Sequence, residues 1–313
     1  MKTFAEFILS GYGRAVVCIT GMAWLAAFMP LTGVVSSAAL GLTALVWGGQ
    51  RAAITAMLSI AALYGLFVLA SVLNIAVASY ESIFLFVLLQ WLPLLLIAQL
   101  LRATRSLSFT LIMLVVVGSL IVVLTKLLVP DIADYWDRFF NWVLQGEIAS
   151  KETDDPEFGQ DYRNFLNIIT GLAVASLILV WMVSLLLARW WQSLLNQPGG
   201  FRSEFVRLEL GRIIAVTGLI LFAVMIFSDS PLTRELLLVM MVAFLFQGIS
   251  TVHFLLAARD AKGWLLGFYV LLAMSPVIPQ VPGLLGIVGA LENLVGLRAR
   301  MRVKLEQEEK EKE

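Results

Sequence analysis

One cysteine and one histidine in 313 residues leave little material for metal or redox chemistry. A lone Cys18 forbids a disulfide within the chain and any Cys-x-x-Cys pair. A lone His253 removes the His-Glu-x-x-His zinc helix and every multi-histidine metal site. The chain also has no Gly-x-Ser-x-Gly elbow and no Gly-x-Gly-Asp motif of an aspartyl membrane protease. Charge is scarce, at 14 % of residues, where soluble domains carry about 25 %. A soluble enzyme, a nucleic-acid binder and a disordered chain are poor readings of this composition, and neither a cofactor nor an enzymatic activity is expected.

What the chain has instead is apolar surface: 60 % hydrophobic residues and a mean hydropathy of +0.91. That is the composition of a polytopic membrane protein. Lys2, Glu6 and Arg14 precede the first apolar run, no small-residue cleavage site closes it, and a second run follows at once. The expectation is a retained first span with no cleaved leader. Cys18 follows Val16-Val17, without the small residue that a lipoprotein signal places before its cysteine.

Charges divide the apolar sequence into segments of spanning length, about 17–25 residues each. The uncharged stretch 15–50 is too long for one crossing and holds Pro30 near its middle, where a helix breaks. The spans read as 14–29, 32–49, 52–72, 82–101, 107–129, 164–188, 210–228 and 236–258. Residues 263–279 and 283–297, separated by Pro276, Pro279 and Pro282, form two more, or a re-entrant hairpin. The expected fold is all-α: a polytopic membrane helical bundle of about ten transmembrane segments, the last two short and proline-broken. Its divisions are a five-helix half (1–129), an acidic outer loop (130–163), a second membrane half (164–297) and a charged tail (298–313). With the N-terminus inside, 17 of the 22 Lys and Arg residues fall on the cytoplasmic side and five outside. That bias sets both termini in the cytoplasm of a bacterial inner membrane.

The outer loop carries nine acids against three bases. Trp136, Phe139, Phe140 and Val143 recur there at helical spacing, which predicts an amphipathic helix in the membrane interface. Asp154-Asp155-Pro156-Glu157 lacks the alternation and the glycine of an EF-hand loop and reads as solvated. On the cytoplasmic side, Asn196-Gln197-Pro198-Gly199-Gly200 breaks a helix, and its glycines lack the Lys-Ser/Thr of a phosphate loop. Beyond it, Phe201, Phe205 and Leu208 are interleaved with Arg202, Arg207 and Arg212. Arg202 and Arg207, with Arg298, Arg300 and Arg302 of the tail, are candidate contacts for lipid headgroups or a protein partner. Glu306/Lys310 and Glu308/Lys312 are i,i+4 pairs that favour a helical tail.

Polar side chains inside a span are functional candidates by default. Gln247, Ser250, Thr251 and His253 share one broad helical face of the eighth span. Interhelical hydrogen bonding is the plain reading of this stripe, and a ligand site is the sharper one. Gly248-Ile249-Ser250 beside His253 resembles a membrane serine protease, but a Ser–His pair on one helical turn leaves no independent orienter or oxyanion site. Glu292 and Asn293, next to the proline-broken backbone, are further candidate ligands. Gln90, Asn74, Gln99 and Lys126 are individually weak. Ala23/Ala27 and Ala52/Ala56 are small-residue pairs that allow close helix approach.

Phe205-Val206-Arg207-Leu208, Phe246-Gln247-Gly248 with His253-Phe254, and the run from Gly286 through Glu292-Asn293 to Arg298-Ala299-Arg300 carry a resemblance. On these residues the chain resembles the YybS-like family of uncharacterised bacterial membrane proteins. Residues 31–61, with Gly48-Gly49-Gln50-Arg51 between two spans, are similar to the membrane-embedded substrate-binding components of energy-coupling-factor vitamin transporters. That similarity implies capture of a small-molecule ligand within the bundle and docking to an energising ATPase module, with Ala23-x-x-x-Ala27 as a docking helix face. The leading expectation is therefore a small-solute uptake component without its own ATPase. The other is a non-transporting scaffold that binds another envelope or cytoplasmic protein; a lipid-acting enzyme is a third possibility with no motif behind it. Both put the chain in a lipid bilayer, and neither involves nucleic acid.

Overall fold

Prolines, glycines and charges cut the chain into helices close to where the hydropathy pattern places them. The computed structural model describes residues 1–74, 85–143, 156–228, 230–259, 261–275 and 277–310. The acidic stretch 144–155, Pro276 and the side chains of Val143, Pro156, Glu157, Arg302, Lys304, Glu306, Glu308 and Lys310 lie outside that description. Among the described residues all regular structure is helical.

The chain forms two compact units, Met1–Leu111 with Leu179–Arg207, and Ile112–Ile178 with Leu208–Glu313. The first holds α1 (Lys2–Leu9), α2 (Tyr12–Leu25), α3 (Leu31–Trp47), α4 (Gly49–Val72) and α5 (Val87–Thr104). It also takes the last part of α9 (Ile169–Asn196) and the short α10 (Gly200–Phe205). Helix α3 is the centre of this unit: Ser36, Ser37, Ala38, Ala39, Leu40, Leu42, Thr43 and Ala44 are all fully buried. Small side chains let neighbours approach closely, and the hydroxyls tie them together. Ser36 Oγ donates to the Ile19 carbonyl of α2 at 2.7 Å, and Thr20 of α2 donates to the Ser59 carbonyl of α4 at 3.3 Å. Helix α5 opens with a π-helical turn, Val87–Trp91, which shifts the backbone register. The Leu89 carbonyl there accepts the Trp181 indole N–H at 2.9 Å.

The second unit is built on α12 (Pro231–Ala258) and α14 (Gln280–Val295). Their backbones touch. A Cβ on Gly248 would run into the Leu285 carbonyl oxygen, and one on Gly289 into the Phe244 carbonyl oxygen. One glycine on each helix, set against the facing backbone, makes this close approach possible. Around it stand α6 (Leu107–Leu128), α7 (Ile132–Val143), α8 (Pro156–Leu166), α11 (Arg212–Phe227), α13 (Lys262–Ala273) and α15 (Leu297–Lys310).

Among the described residues, five helices are long and apolar enough to cross a membrane: α4, α5, α6, α9 and α12. Helices α1 and α2 pass the same test together but meet at 119°. The other apolar helices, α3, α11, Gly263–Ala273 and α14, have 10–17 residues. Against an expectation of ten spans, five described helices have full spanning length; Pro30 and Gly48 bound α3 and keep it to 17 residues. The first span differs most. It is expected over 14–29, yet α2 stops at Leu25, and the preceding charged segment is itself helical, with Ala5 and Ile8 fully buried. The segment 263–279 ends as a helix at Ala273, and α14 begins three residues before 283, with Pro282 tolerated in its first turn. The helix expected around Trp136 is present as α7. Its Trp136 indole N–H donates to Thr170 Oγ1 at 3.0 Å, while Trp142 is 73 % exposed. These apolar helices fit a membrane protein, and the large apolar side chains left open on α11 (Ile213, Leu219, Ile220, Phe222, Phe227) suit contact with lipid tails.

Candidate functional site

Each unit contains a polar centre, and the two differ in how completely their groups are bonded. In the second unit, close packing at Gly248 and Gly289 brings Gln247 of α12 against Asn293 of α14. Gln247 Nε2 donates to Asn293 Oδ1 at 2.8 Å, and Asn293 Nδ2 donates to Gln247 Oε1 at 2.9 Å. The same two oxygens accept the backbone N–H groups of Leu210, at 3.1 Å, and Gly211, at 3.0 Å. Asn293 Nδ2 also donates to the Gly289 carbonyl at 3.1 Å. Gly211 has φ +83°, a conformation that suits glycine, and it opens α11. The amide pair therefore closes the interior and anchors the start of α11. Buried amides satisfied in this way rigidify a core and offer little to a ligand.

The other residues of the stripe do not converge on the amide pair. Ser250 and Thr251 are fully buried, and Thr251 Oγ1 has no partner among the described residues. His253 Nδ1 lies 2.6 Å from the Tyr269 hydroxyl of α13. Glu292 is buried and takes its partner locally. Its Oε1 accepts Arg298 Nε at 2.7 Å, and its Oε2 accepts the Arg298 backbone N–H at 3.2 Å. Gly296, at φ +68°, turns the chain so that the carboxylate caps the N-terminus of α15. Arg298 is itself only 6 % exposed, whereas Arg202, Arg207 and Arg300 are on the surface.

A buried carboxylate that the hydropathy pattern hides is Glu235, fully enclosed at the start of α12. Its Oε1 accepts the Gly171 N–H at 3.0 Å in the first turn of α9. Its Oε2 lies 3.3 Å from Lys126 Nζ, which also donates to the Asn167 carbonyl at 2.9 Å. A carboxylate at one helix N-terminus and an ammonium on a carbonyl beside it complement the exposed backbone dipoles. One sequence signal points there: Glu235 abuts an uncharged run of 23 residues.

In the first unit the polar groups surround open space. A cavity of about 400 Å³ is lined by Arg105, Arg189, Glu204 and Arg207, among others. A neighbouring one of about 300 Å³ shares Arg105, Arg189 and Glu204 and adds Arg102. The local sequence builds this place step by step. Ser193 near the end of α9 donates to the Gln197 carbonyl at 2.9 Å and accepts the Phe201 N–H at 3.0 Å. With Gly199 at φ +88°, this folds α10 back and brings Glu204 to Arg189, Oε2 to Nε at 2.8 Å. Carbonyls in the last turn of α3 draw in side-chain donors, Ala44 beside the Gly48 N–H it already accepts at 3.2 Å. Ala44 accepts from Gln99 Nε2 at 3.3 Å and Arg102 Nη1 at 3.4 Å, and Leu45 accepts from Gln192 Nε2 at 3.5 Å.

Arg105 ends α5 in the left-handed conformation, φ 53°. Ser106 then caps α6, its Oγ accepting the Phe109 N–H at 3.2 Å. Left-handed backbone costs a non-glycine residue about 1–2 kcal/mol. Strained backbone of this kind concentrates at working sites.

Among the described residues, no group of three or more His, Cys, Asp or Glu side chains is placed to hold a metal ion. No family model, no curated protein and no solved structure matches the chain.

Proposed function

We propose that this chain is a non-transporting scaffold of the bacterial inner membrane, crossing it ten times with both termini in the cytoplasm. Its working surface is the arginine-lined cavity of the first unit, on the cytoplasmic side, where an anionic ligand or partner binds. One contrast supports this reading. The amides that could bind a solute inside the second unit, Gln247 and Asn293, are bonded to each other, whereas Arg105 and Arg207 line open space with no carboxylate partner among the described residues. Membership of the YybS-like family is part of the same proposal. No chemistry on a substrate is assigned, so the protein is read as a binder and not an enzyme.

A second reading, the small-solute uptake component, draws on the same cavity, whose volume falls within the range of small-molecule sites, about 300–1,000 Å³. The two separate in one experiment. Purified protein is screened by thermal shift against vitamins, metals and nucleobases, and hits are followed into proteoliposomes. Linkage requires concentration-dependent stabilisation, about 2.7 kcal/mol at a hundred times Kd, for any real ligand. The scaffold reading expects no neutral solute to stabilise the protein. A stabilising solute that also accumulates in vesicles carrying an energising module overturns it in favour of uptake.

A further inference from the structure

Resting on the cytoplasmic placement of the cavity, we propose that it is a binding site for a phospholipid headgroup carrying both a phosphodiester and a hydrogen-bond donor, as ethanolamine and glycerol headgroups do. Three observations lead there. The first is charge. Arg102, Arg105, Arg189 and Arg207 line the two adjoining cavities against one carboxylate, Glu204. Arg189 is paired with that carboxylate, and Arg102 reaches the Ala44 carbonyl. Arg105 and Arg207 have no partner among the described residues. Planar guanidinium groups with free donors match phosphate oxygens.

The second observation is Glu204 Oε1. The other oxygen of this carboxylate is bonded to Arg189, but Oε1 is buried with no hydrogen-bond partner among the described residues. A buried acceptor left open is costly unless a ligand supplies the donor. Beside two free guanidinium groups, the acceptor describes a zwitterionic or polyol headgroup better than a bare anion. A free phosphate monoester would bring a second negative charge towards Glu204. A phosphodiester carries one and can place an ammonium or hydroxyl at Oε1.

The third is position. The cavity is lined in part by the corner Arg105-Ser106, where apolar α5 gives way to apolar α6. In a membrane that corner lies at the boundary of the hydrocarbon layer, at headgroup depth, where Arg side chains meet anionic lipid. The N-terminus of the 22-residue α6 faces the same space and adds its partial positive charge.

The test is native mass spectrometry and thermal shift on the full chain, delipidated in neutral detergent. The probes are phosphatidylethanolamine, phosphatidylglycerol, phosphatidylcholine, inorganic phosphate and chain-free glycerophosphoethanolamine. The ethanolamine and glycerol lipids should bind and raise Tm. Phosphatidylcholine, which lacks a donor for Glu204, should need about tenfold more for the same shift. Arg105→Gly and Arg207→Gln should each lose the shift. Arg105→Gly relieves the left-handed strain, so its lipid-free Tm should not fall, which separates lost binding from lost folding. A phosphatidylcholine shift equal to that of the other lipids, or an intact shift in both variants, overturns the proposal. Equal stabilisation by inorganic phosphate or the chain-free headgroup assigns a soluble ligand and overturns the lipid assignment. A topology reporter at Ser203 reading outside sinks the cytoplasmic placement while leaving the lipid shift intact, so the two failures are distinct.

Discussion

Gln247 and Asn293, 46 residues apart in sequence, hold each other through two reciprocal amide hydrogen bonds of 2.8 and 2.9 Å. Each oxygen also receives a backbone N–H from the segment entering α11. The pair is therefore a clamp across three chain segments. Asn293→Ala leaves Gln247 Nε2 and the Gly211 N–H unsatisfied and is expected to cost about 2–4 kcal/mol. Gln247→Leu with Asn293→Leu removes both amides, and the coupling between them should recover part of that loss. Tm of the two singles and the double in detergent checks this. Strictly additive losses would show that the amides do not act together.

Glycine matters where backbones meet. Gly248→Ala and Gly289→Ala each push a methyl group into a carbonyl oxygen of the facing helix, which cannot turn aside as a side chain can. Each is expected to lower stability by about 1–3 kcal/mol. Gly65→Ala on α4, where nothing lies within 4 Å of the added carbon, should be neutral or stabilising by about 0.5–1 kcal/mol. Thermal unfolding of the three variants gives the ranking. Similar Tm values for all three would contradict the close approach of α12 and α14.

The Lys126–Glu235 pair predicts an asymmetry. Lys126→Met strands a fully buried carboxylate, and breaking a buried pair in this way costs about 3–5 kcal/mol. Glu235→Gln keeps an acceptor for the Gly171 N–H and leaves Lys126 its bond to Asn167. Its cost should be smaller, about 1–2 kcal/mol. Combining the two should restore much of the Lys126→Met loss. Equal losses, or no rescue in the double variant, would refute the pairing.

Helices bounded by charge were readable in advance. The expected 107–129 and 210–228 agree closely with Leu107–Leu128 and Arg212–Phe227, because a long uncharged run has few other ways to satisfy its backbone in lipid. Helix α1 was not readable, since eight residues with two charges fall below any spanning window and owe their burial to Ala5 and Ile8 packing on neighbours. Helices α8 and α9, separate in the fold, were one boundary in the pattern. Gln247, Glu292 and Asn293 stood out as polar residues in apolar runs. Their partners did not, because hydropathy carries no information about which distant amide or local guanidinium meets them. Glu235 escaped for a related reason: a carboxylate at the edge of an apolar run looks solvated until the fold encloses it. Arg105 counted only as one more inside charge, and its left-handed backbone and the cavity beside it belong to tertiary structure alone.

The account depends most on lipid surrounding the apolar helices, with the arginine-lined cavity on the inner side. In a Cys18→Ala background, single cysteines at Ser203 and Arg138 can be labelled with a membrane-impermeant maleimide in intact and in opened cells. The account expects Arg138→Cys to label in intact cells and Ser203→Cys to label only once the cells are opened. The reverse pattern, or labelling of both positions in a soluble fraction without detergent, would contradict it.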